Sequence, residues 1–191
     1  MTTTTQIGRS GFGWMRQIAK DSGAEVWGTA SPSKHEAIKA NGVQHPIDYT
    51  VKGWEKGLPD FDLVIDAVGG SSFKRSYELL RAGGRLVCFG ASSVVSGEGR
   101  NLVQAGKTIL TMPKFNLVKQ MSASKAVIGL NMLALWDEFG TLRPWIEPLL
   151  SLADSGAILP VIAAEVPFDN APEAHRMLSE RRNIGKVVLV P

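Results

Sequence analysis

One short segment restricts the fold of this chain more than any other. Residues 61–68 read Phe-Asp-Leu-Val-Ile-Asp-Ala-Val, and Gly69 and Gly70 follow them. The continuous apolar centre is typical of a strand that is buried on both faces. Such strands occur in parallel sheets, because the crossover connections of a parallel sheet place helices over both of its faces. The segment therefore predicts an α/β protein built on a parallel sheet.

The same alternation of strand-like and helix-like runs continues along the chain. The predicted strands are residues 2–7, 25–30, 44–48, 61–68, 85–89, 126–129 and 185–190. The predicted helices are residues 14–22, 33–41 (capped by Ser31 or Ser33), from Ser71 or Ser72 to 81, 146–155 and 170–182. Residues 91–106 are predicted as a loop and 159–168 as extended. We predict a doubly wound, Rossmann-like sheet followed by a C-terminal strand–helix–strand extension.

Charge and cysteine content exclude several classes of function. There are 21 Lys and Arg against 18 Asp and Glu, and no run of five basic residues, so we expect no nucleic-acid partner. The longest uncharged apolar stretch, residues 126–136, is too short for a membrane span. The single cysteine, Cys88, excludes an intramolecular disulfide and a zinc site of several thiolates. We expect a cytoplasmic protein.

A glycine-rich turn separates the first strand from the first helix. Residues 8–13 read Gly-Arg-Ser-Gly-Phe-Gly. A strand, a tight turn and a helix N-terminus together favour the binding of a pyrophosphate, whose oxygens would accept hydrogen bonds from the backbone N–H groups. We expect Ser10, Gly11, Phe12 and Gly13 to hold it, although Ser10 replaces the glycine that usually allows close approach. The alternative is an ordinary strand-to-helix turn.

The end of the second strand indicates which dinucleotide would bind. An acidic residue at this position would hold the ribose 2′-OH of NAD. The sequence instead supplies Ser31, Ser33 and Lys34, which are hydrogen-bond donors and a cation suited to a 2′-phosphate. This favours NADPH over NADH and argues against an S-adenosylmethionine site. The alternative is that Lys34 is a solvated lysine.

Four further runs resemble the medium-chain dehydrogenases/reductases, in the same order along the chain. They are residues 17–26 (QIAKDSGAEV), 62–70 (DLVIDAVGG), 80–87 (LRAGGRLV) and 184–189 (IGKVVL). The nearest branch resembles the zinc-independent quinone oxidoreductases and the relatives of vesicle amine-transport proteins. The family's usual turn is Ala-Ala-Gly-Gly-Val-Gly, from which Ser10 and Phe12 depart.

The resemblance implies further positions in the cofactor site. Lys34 matches the lysine that members using NADPH place on the 2′-phosphate, and Tyr49 matches an aromatic residue near the same phosphate. The cofactor cleft is implied to continue along Val68, Gly69, Phe89, Gly90 and Ala91. No catalytic residue is assigned. No metal ligand is assigned either, because the three histidines lack ligand spacing.

The function that the resemblance implies is an NADPH-dependent oxidoreductase that transfers hydride to a conjugated carbonyl, as in quinone or enone reductases. Residues 1–157 would form the dinucleotide-binding domain, and residues 158–191 would return to a catalytic domain that is missing from this chain. Residues 126–129 would form a homodimer edge. Two alternatives stay open. The chain is a non-catalytic NADPH-binding module or a subunit that a partner chain completes, or it is a remnant that folds without binding a cofactor.

Overall fold

The computed structural model describes residues 4–7 (backbone), 13–90, 110–180 and 183–191. Its strands are β1 (Thr4–Ile7), β2 (Glu25–Ala30), β3 (His45–Asp48), β4 (Phe61–Asp66), β5 (Leu80–Cys88), β6 (Ala126–Gly129), β7 (Ile162–Pro167) and β8 (Lys186–Val190). Its helices are α1 (Gly13–Asp21), α2 (His35–Ala40), α3 (Ser71–Glu78), α4 (Leu117–Ala123), α5 (Met132–Phe139), α6 (Arg143–Asp154) and α7 (Ala171–Ser179). Two short 3-10 turns, Pro32–Lys34 and Phe168–Asn170, precede α2 and α7.

Six strands form one parallel sheet in the order β3-β2-β1-β4-β5-β6. The central strand β1 pairs on both sides, with Ile7 opposite Gly28 of β2 and Ile65 of β4. The strand order reverses between β1 and β4, which defines the switch point of a doubly wound sheet. Strands β7 and β8 form a second, two-stranded parallel sheet. The predicted α/β class and doubly wound sheet are confirmed.

The buried core lies on both faces of the large sheet. Consecutive residues of β2 supply the two faces, because side chains alternate along a strand. Val26 packs with Ile38 and Val43 on one face. Trp27 packs on the other face, where it meets the edge of Phe61. The remaining buried apolar residues of this second cluster are Val64, Phe73, Leu80 and Leu86.

The structure corrects the predicted extent and capping of two helices. Helix α3 ends at Glu78, and Leu80 already belongs to β5, so the predicted helix to residue 81 is wrong. Gly70 occupies the N-cap of α3, so neither Ser71 nor Ser72 caps the helix, and Ser72 donates its hydroxyl to the carboxylate of Asp66. The predicted caps of α2, Ser31 and Ser33, are wrong too. The N-cap of α2 is Lys34, and Ser31, at the N-cap of the preceding 3-10 turn, makes no side-chain capping bond.

Two helices were absent from the prediction. The side chain of Asn116 accepts from the N–H of Lys119 at the start of α4. The side chain of Asn131 accepts from the N–H of Leu133 at the start of α5. Both are ordinary N-caps and could have been found from the sequence. The predicted loop at 91–106 lies outside the described residues.

The C-terminal strands form a compact parallel unit around α7. Gly185 has a φ of +112°, and a Cβ at this position would collide with the carbonyl oxygen of Val161. Only glycine meets both conditions. The backbone N–H of Lys186 donates to the same carbonyl oxygen at 2.8 Å. The close approach therefore fixes the start of β8 against the start of β7.

Candidate functional site

The carboxyl ends of the strands meet along one edge of the large sheet. Ala30 pairs with Asp48 at the ends of β2 and β3, and Asp66 pairs with Cys88 at the ends of β4 and β5. In open α/β sheets, ligands bind in the crevice outside these carboxyl ends, at the switch point. The predicted site residues Ser31, Tyr49, Val68, Gly69, Phe89 and Gly90 all follow directly or closely after these strand ends.

A buried carboxylate organises the centre of this edge. Asp66 is 3% exposed and accepts three hydrogen bonds of 2.7 Å, from the N–H of Val68 and the hydroxyls of Ser72 and Ser76. Gly69 has a φ of +82°, which lets the chain turn sharply between β4 and α3. These contacts tie the turn after β4 to α3 and so fix the position of Val68.

A large apolar cleft lies at this edge. It is a cleft of about 1110 Å³ beside the ends of β4, β5 and β6, and it contains Phe89 and Gly90. A Cβ at Gly90 would lie 3.3 Å from the carbonyl oxygen of Ala67, so a side chain there would press against the neighbouring strand end. The other residues lining the cleft include Met15, Ile65, Gly129, Leu130, Met132 and Leu133.

Cys88 also lines this apolar cleft. Burial raises the pKa of its thiol to about 11, and the nearby charge of Asp66 adds to the effect. The thiol is therefore neutral at neutral pH and a poor nucleophile. This agrees with the sequence interpretation of Cys88 as a small packing residue.

Tyr49 and Val68 share a second, smaller cavity of about 110 Å³ between the sheet edge and α3. Its walls are more polar than those of the cleft and include Thr29, Trp54 and Arg75. The sequence interpretation missed Arg75. Its position on α3, one residue before Ser76, gave no distinctive signal.

Lys34 lies in a third cavity, of about 30 Å³, between α1, α2 and the C-terminal segment. Its ammonium group donates to the carbonyl oxygen of Asn183 at 3.0 Å. Gly13 lines the same cavity. The structure thus brings Lys34 together with Gly13, Tyr49 with Val68, and Phe89 with Gly90, in three separate cavities. Ser10, Gly11, Phe12 and Ala91 lie outside the described residues.

Arg16 is a second residue that the sequence interpretation missed. It lines the cavity of Lys34 and is 1% exposed. Burial lowers the pKa of its guanidinium to about 10, because removal from water disfavours the charged form. Its position within α1 gave no distinctive signal in the sequence.

Two parts of the described edge could contact a bound dinucleotide. The end of β2 offers the hydroxyls of Ser31 and Ser33 and the cation of Lys34, with no acidic side chain among residues 29–34. The close approach at Gly90 leaves a smooth wall in the apolar cleft, where a flat ring could lie.

Among residues 13–90, 110–180 and 183–191, no cluster of three or more His, Cys, Asp or Glu side chains is arranged to hold a metal ion. No helix in this part of the chain has the length and apolarity needed to cross a bilayer.

Known proteins resemble this chain both in sequence and in fold. The family profile described as zinc-binding dehydrogenase matches residues 41–189. The human synaptic vesicle membrane protein VAT-1 homolog is 35% identical over 171 residues, which is 87% of this chain and 44% of that protein. The chain therefore spans less than half the length of this curated relative.

Two solved structures illustrate the likeness in fold. A NAD-dependent alcohol dehydrogenase superposes with a TM-score of 0.74 at 27% identity, over 99% of this chain and 51% of that one. A mycobacterial quinone oxidoreductase gives a TM-score of 0.73 at 22% identity, over all of this chain and 58% of that one. At that identity, the second likeness concerns the fold alone.

Proposed function

Because the chain belongs to the zinc-binding dehydrogenase family of medium-chain dehydrogenases/reductases, we propose that it is the nicotinamide-cofactor-binding part of an oxidoreductase. The observation that carries this proposal is the parallel sheet with its strand order reversed between β1 and β4, and a cleft at the carboxyl edge. In this proposal residues 1–157 form the dinucleotide-binding domain. Residues 158–191 form the segment that returns to a catalytic domain.

The proposed cofactor is NADPH. A 2′-phosphate needs donors and positive charge, and the turn after β2 offers the hydroxyls of Ser31 and Ser33 and the ammonium group of Lys34. An acidic residue in their place would repel the phosphate and favour NADH. Among the similar structures is an alcohol dehydrogenase described as NAD-dependent, so the choice between the two cofactors needs a direct measurement.

When bound, the reduced nicotinamide supplies a hydride, and the proposed acceptor is the conjugated carbonyl of a quinone or enone. The chain's own residues bind and orient. Phe89, Gly90 and Leu130 form apolar walls beside the proposed reaction site. Asp66 and its three donors keep the adjacent turn in place. We assign no proton donor or acceptor to this chain.

A second candidate function is a non-catalytic NADPH-binding module, or a subunit that a partner chain completes. The observation that favours it is the apolar cleft of about 1110 Å³, whose lining includes exposed Leu130, Met132 and Leu133. Apolar surface of this kind is usually covered by protein. In the same proposal β6 forms the edge of a homodimer, and the protein resides in the cytoplasm.

The test begins with calorimetric titration of the purified chain with NADPH and, separately, with NADH. We expect NADPH to bind at least tenfold more tightly. NADPH oxidation is then followed in the presence of quinones and enones, with and without a candidate catalytic domain. Turnover by the chain alone supports the oxidoreductase. Tight binding without turnover by the chain alone, followed by turnover once the catalytic domain is added, supports the partner-completed subunit. Equal or absent binding of both cofactors contradicts the proposed cofactor.

A further inference from the structure

Helices α5 and α6 expose apolar side chains along one face each. On α5, Met132, Trp136 and Phe139 recur at the spacing that places residues on a single helix face, and all three are exposed. On α6, Trp145 and Leu150 are exposed as well. Within the part of the chain that the structure describes, neither helix contains a buried residue.

The two helices meet at their aromatic side chains. The rings of Phe139 and Trp145 lie 5.4 Å apart, centroid to centroid, in an edge-to-face arrangement. Gly140 ends α5, and its N–H donates to the carbonyl oxygen of Trp136 at 2.8 Å. These contacts join the exposed residues of both helices into one area. We call it the α5–α6 surface, and it consists of Met132, Trp136, Phe139, Trp145 and Leu150.

Acidic side chains border the α5–α6 surface. Asp137 and Glu138 belong to α5, and at 3.6 residues per turn they fall on opposite sides of its apolar face. Glu147 and Asp154 belong to α6, where Arg143 is the single base. Residues 132–154 thus carry a net charge of −3 (four acids and one base), within a chain whose net charge is +3.

The four carboxylates of this border are exposed and open to a partner. The ion pairs among the described residues involve other acidic side chains, namely Glu36, Glu25, Glu78, Asp62 and Glu173. An apolar stripe with acidic flanks is complementary to an apolar stripe with basic flanks.

We propose that the α5–α6 surface docks a basic amphipathic helix of a partner protein. The apolar face of such a helix covers the exposed side chains of Trp136, Phe139 and Trp145. Its lysine or arginine side chains pair with the carboxylates of the border, which orients the helix on the surface. The proposal does not depend on the choice of cofactor or on the activity of the chain.

The acidic border disfavours three other occupants. A second copy that met this chain through the same surface would bring two borders of net charge −3 together, because a two-fold contact joins a patch to itself. An anionic membrane surface and a nucleic acid carry negative charge and are repelled for the same reason. A basic helix alone supplies apolar area together with the opposite charge.

The proposal is tested by fluorescence anisotropy, with the full chain titrated into a labelled peptide. The first peptide is a synthetic helix of about 14 residues with leucines on one face and lysines on the other. The second has glutamate in place of every lysine and the same leucines. Vesicles of phosphatidylserine and phosphatidylcholine test for a membrane surface, and analytical ultracentrifugation tests for self-association.

The variants separate the apolar contribution from the charged one. Trp136→Ala removes apolar area from the centre of the surface, and Asp137→Asn combined with Glu138→Gln neutralises the border on α5. Val51→Ala and Asp60→Asn are the matched controls, because both residues are exposed and lie between β3 and β4, outside the two helices. All these side chains are exposed, so each variant should fold, and circular dichroism verifies this.

We expect the lysine peptide to bind in the micromolar range and the glutamate peptide about tenfold more weakly or less. Trp136→Ala should weaken binding of the lysine peptide about tenfold, since a central aromatic side chain dominates such contacts. The double variant should weaken it about fivefold at low salt. That second difference should shrink as salt is added, because exposed charges are screened. Both controls should stay within about twofold of the parent chain.

Equal binding of the two peptides, or no binding of the lysine peptide, overturns the proposal. So does a folded Trp136→Ala variant that binds the lysine peptide as the parent chain does. Self-association that Trp136→Ala abolishes would assign the surface to a second copy instead. Vesicle binding that the same variant abolishes would assign it to a membrane, and either result contradicts the basic helix as its occupant.

Discussion

Among the described residues, 13–90 and 110–191 differ in how far their apolar side chains are buried. Among the described residues, 11 of the 14 buried apolar side chains lie between Ala24 and Leu86. By contrast, 21 of the 23 exposed large apolar side chains lie from Leu110 onwards. Helices α4, α5 and α6 contain no buried residue at all.

The difference indicates which region contributes most to the free energy of unfolding. The first region packs helices on both faces of its strands and buries two apolar clusters. The second region has comparable apolar content but few neighbours to cover it. Since burial of apolar surface is the main stabilising force, the first region should dominate the free energy of unfolding. The second region offers its apolar side chains for contact with other protein.

The largest expected effect comes from a matched pair of phenylalanines. Phe61 is 0% exposed and Phe139 is 59% exposed. Phe61→Ala should lower the free energy of unfolding by about 3–5 kcal/mol, because it leaves a cavity in a packed cluster. Phe139→Ala should change it by about 0.5 kcal/mol or less. Urea unfolding followed by circular dichroism measures both, and equal effects would contradict the division into two regions.

A matched pair of aspartates sharpens the same comparison for polar groups. Asp66→Ala removes the acceptor of three hydrogen bonds and leaves the buried hydroxyl of Ser76 without its partner. We expect a loss of about 3 kcal/mol. Asp137→Ala, on an exposed position of α5, should have almost no effect. The midpoints of urea unfolding, compared at constant slope, decide between these outcomes.

A third prediction concerns ligand binding at the place where the two regions meet. Lys34→Ala should weaken NADPH binding by about 1.5–3 kcal/mol and NADH binding far less, since it removes a charged donor that only the 2′-phosphate would use. Calorimetric titration of the variant and the parent chain measures both affinities. Equal losses for the two cofactors would remove Lys34 from the proposed site.

The smallest expected effect tests the hydrogen bonds between the regions. The side-chain amide of Gln17 donates to the carbonyl oxygen of Leu159 at 3.0 Å and accepts from its N–H at 2.8 Å. Gln17→Ala should cost about 1 kcal/mol, because both bonds are exposed to water. The amide of Leu159 should also exchange with deuterium faster. Unchanged exchange at Leu159 would show that other contacts hold this segment.

The sequence interpretation located the strands better than the helices. Strands β2 and β4 were predicted because their apolar residues are buried within the first region, and their pattern records that burial. Helices α4 and α5 were missed although Asn116 and Asn131 mark their starts. Most of α6 was predicted although it contains no buried residue either, so burial alone does not decide which helices the sequence reveals.

The candidate site was predictable in part. Tyr49, Val68 and Phe89 were implied by the family resemblance, and each lies at or just after the end of a strand that the sequence located. Arg16 and Arg75 lie within helices, so their positions beside cavities depend on how the helices pack. The contact of Lys34 with Asn183 joins distant parts of the chain, and no local pattern encodes such a contact.

The pairing of β1 with β4 also has a consequence for the time course of folding. Ile162 pairs with Lys186, 186 − 162 = 24 residues further along the chain, whereas Thr5 pairs with Leu63, 63 − 5 = 58 residues further along. Closing the longer loop carries the larger entropy cost, and contacts between distant residues slow folding. The switch point, where the cleft begins, is therefore expected to form late, after the C-terminal strand pair has already assembled.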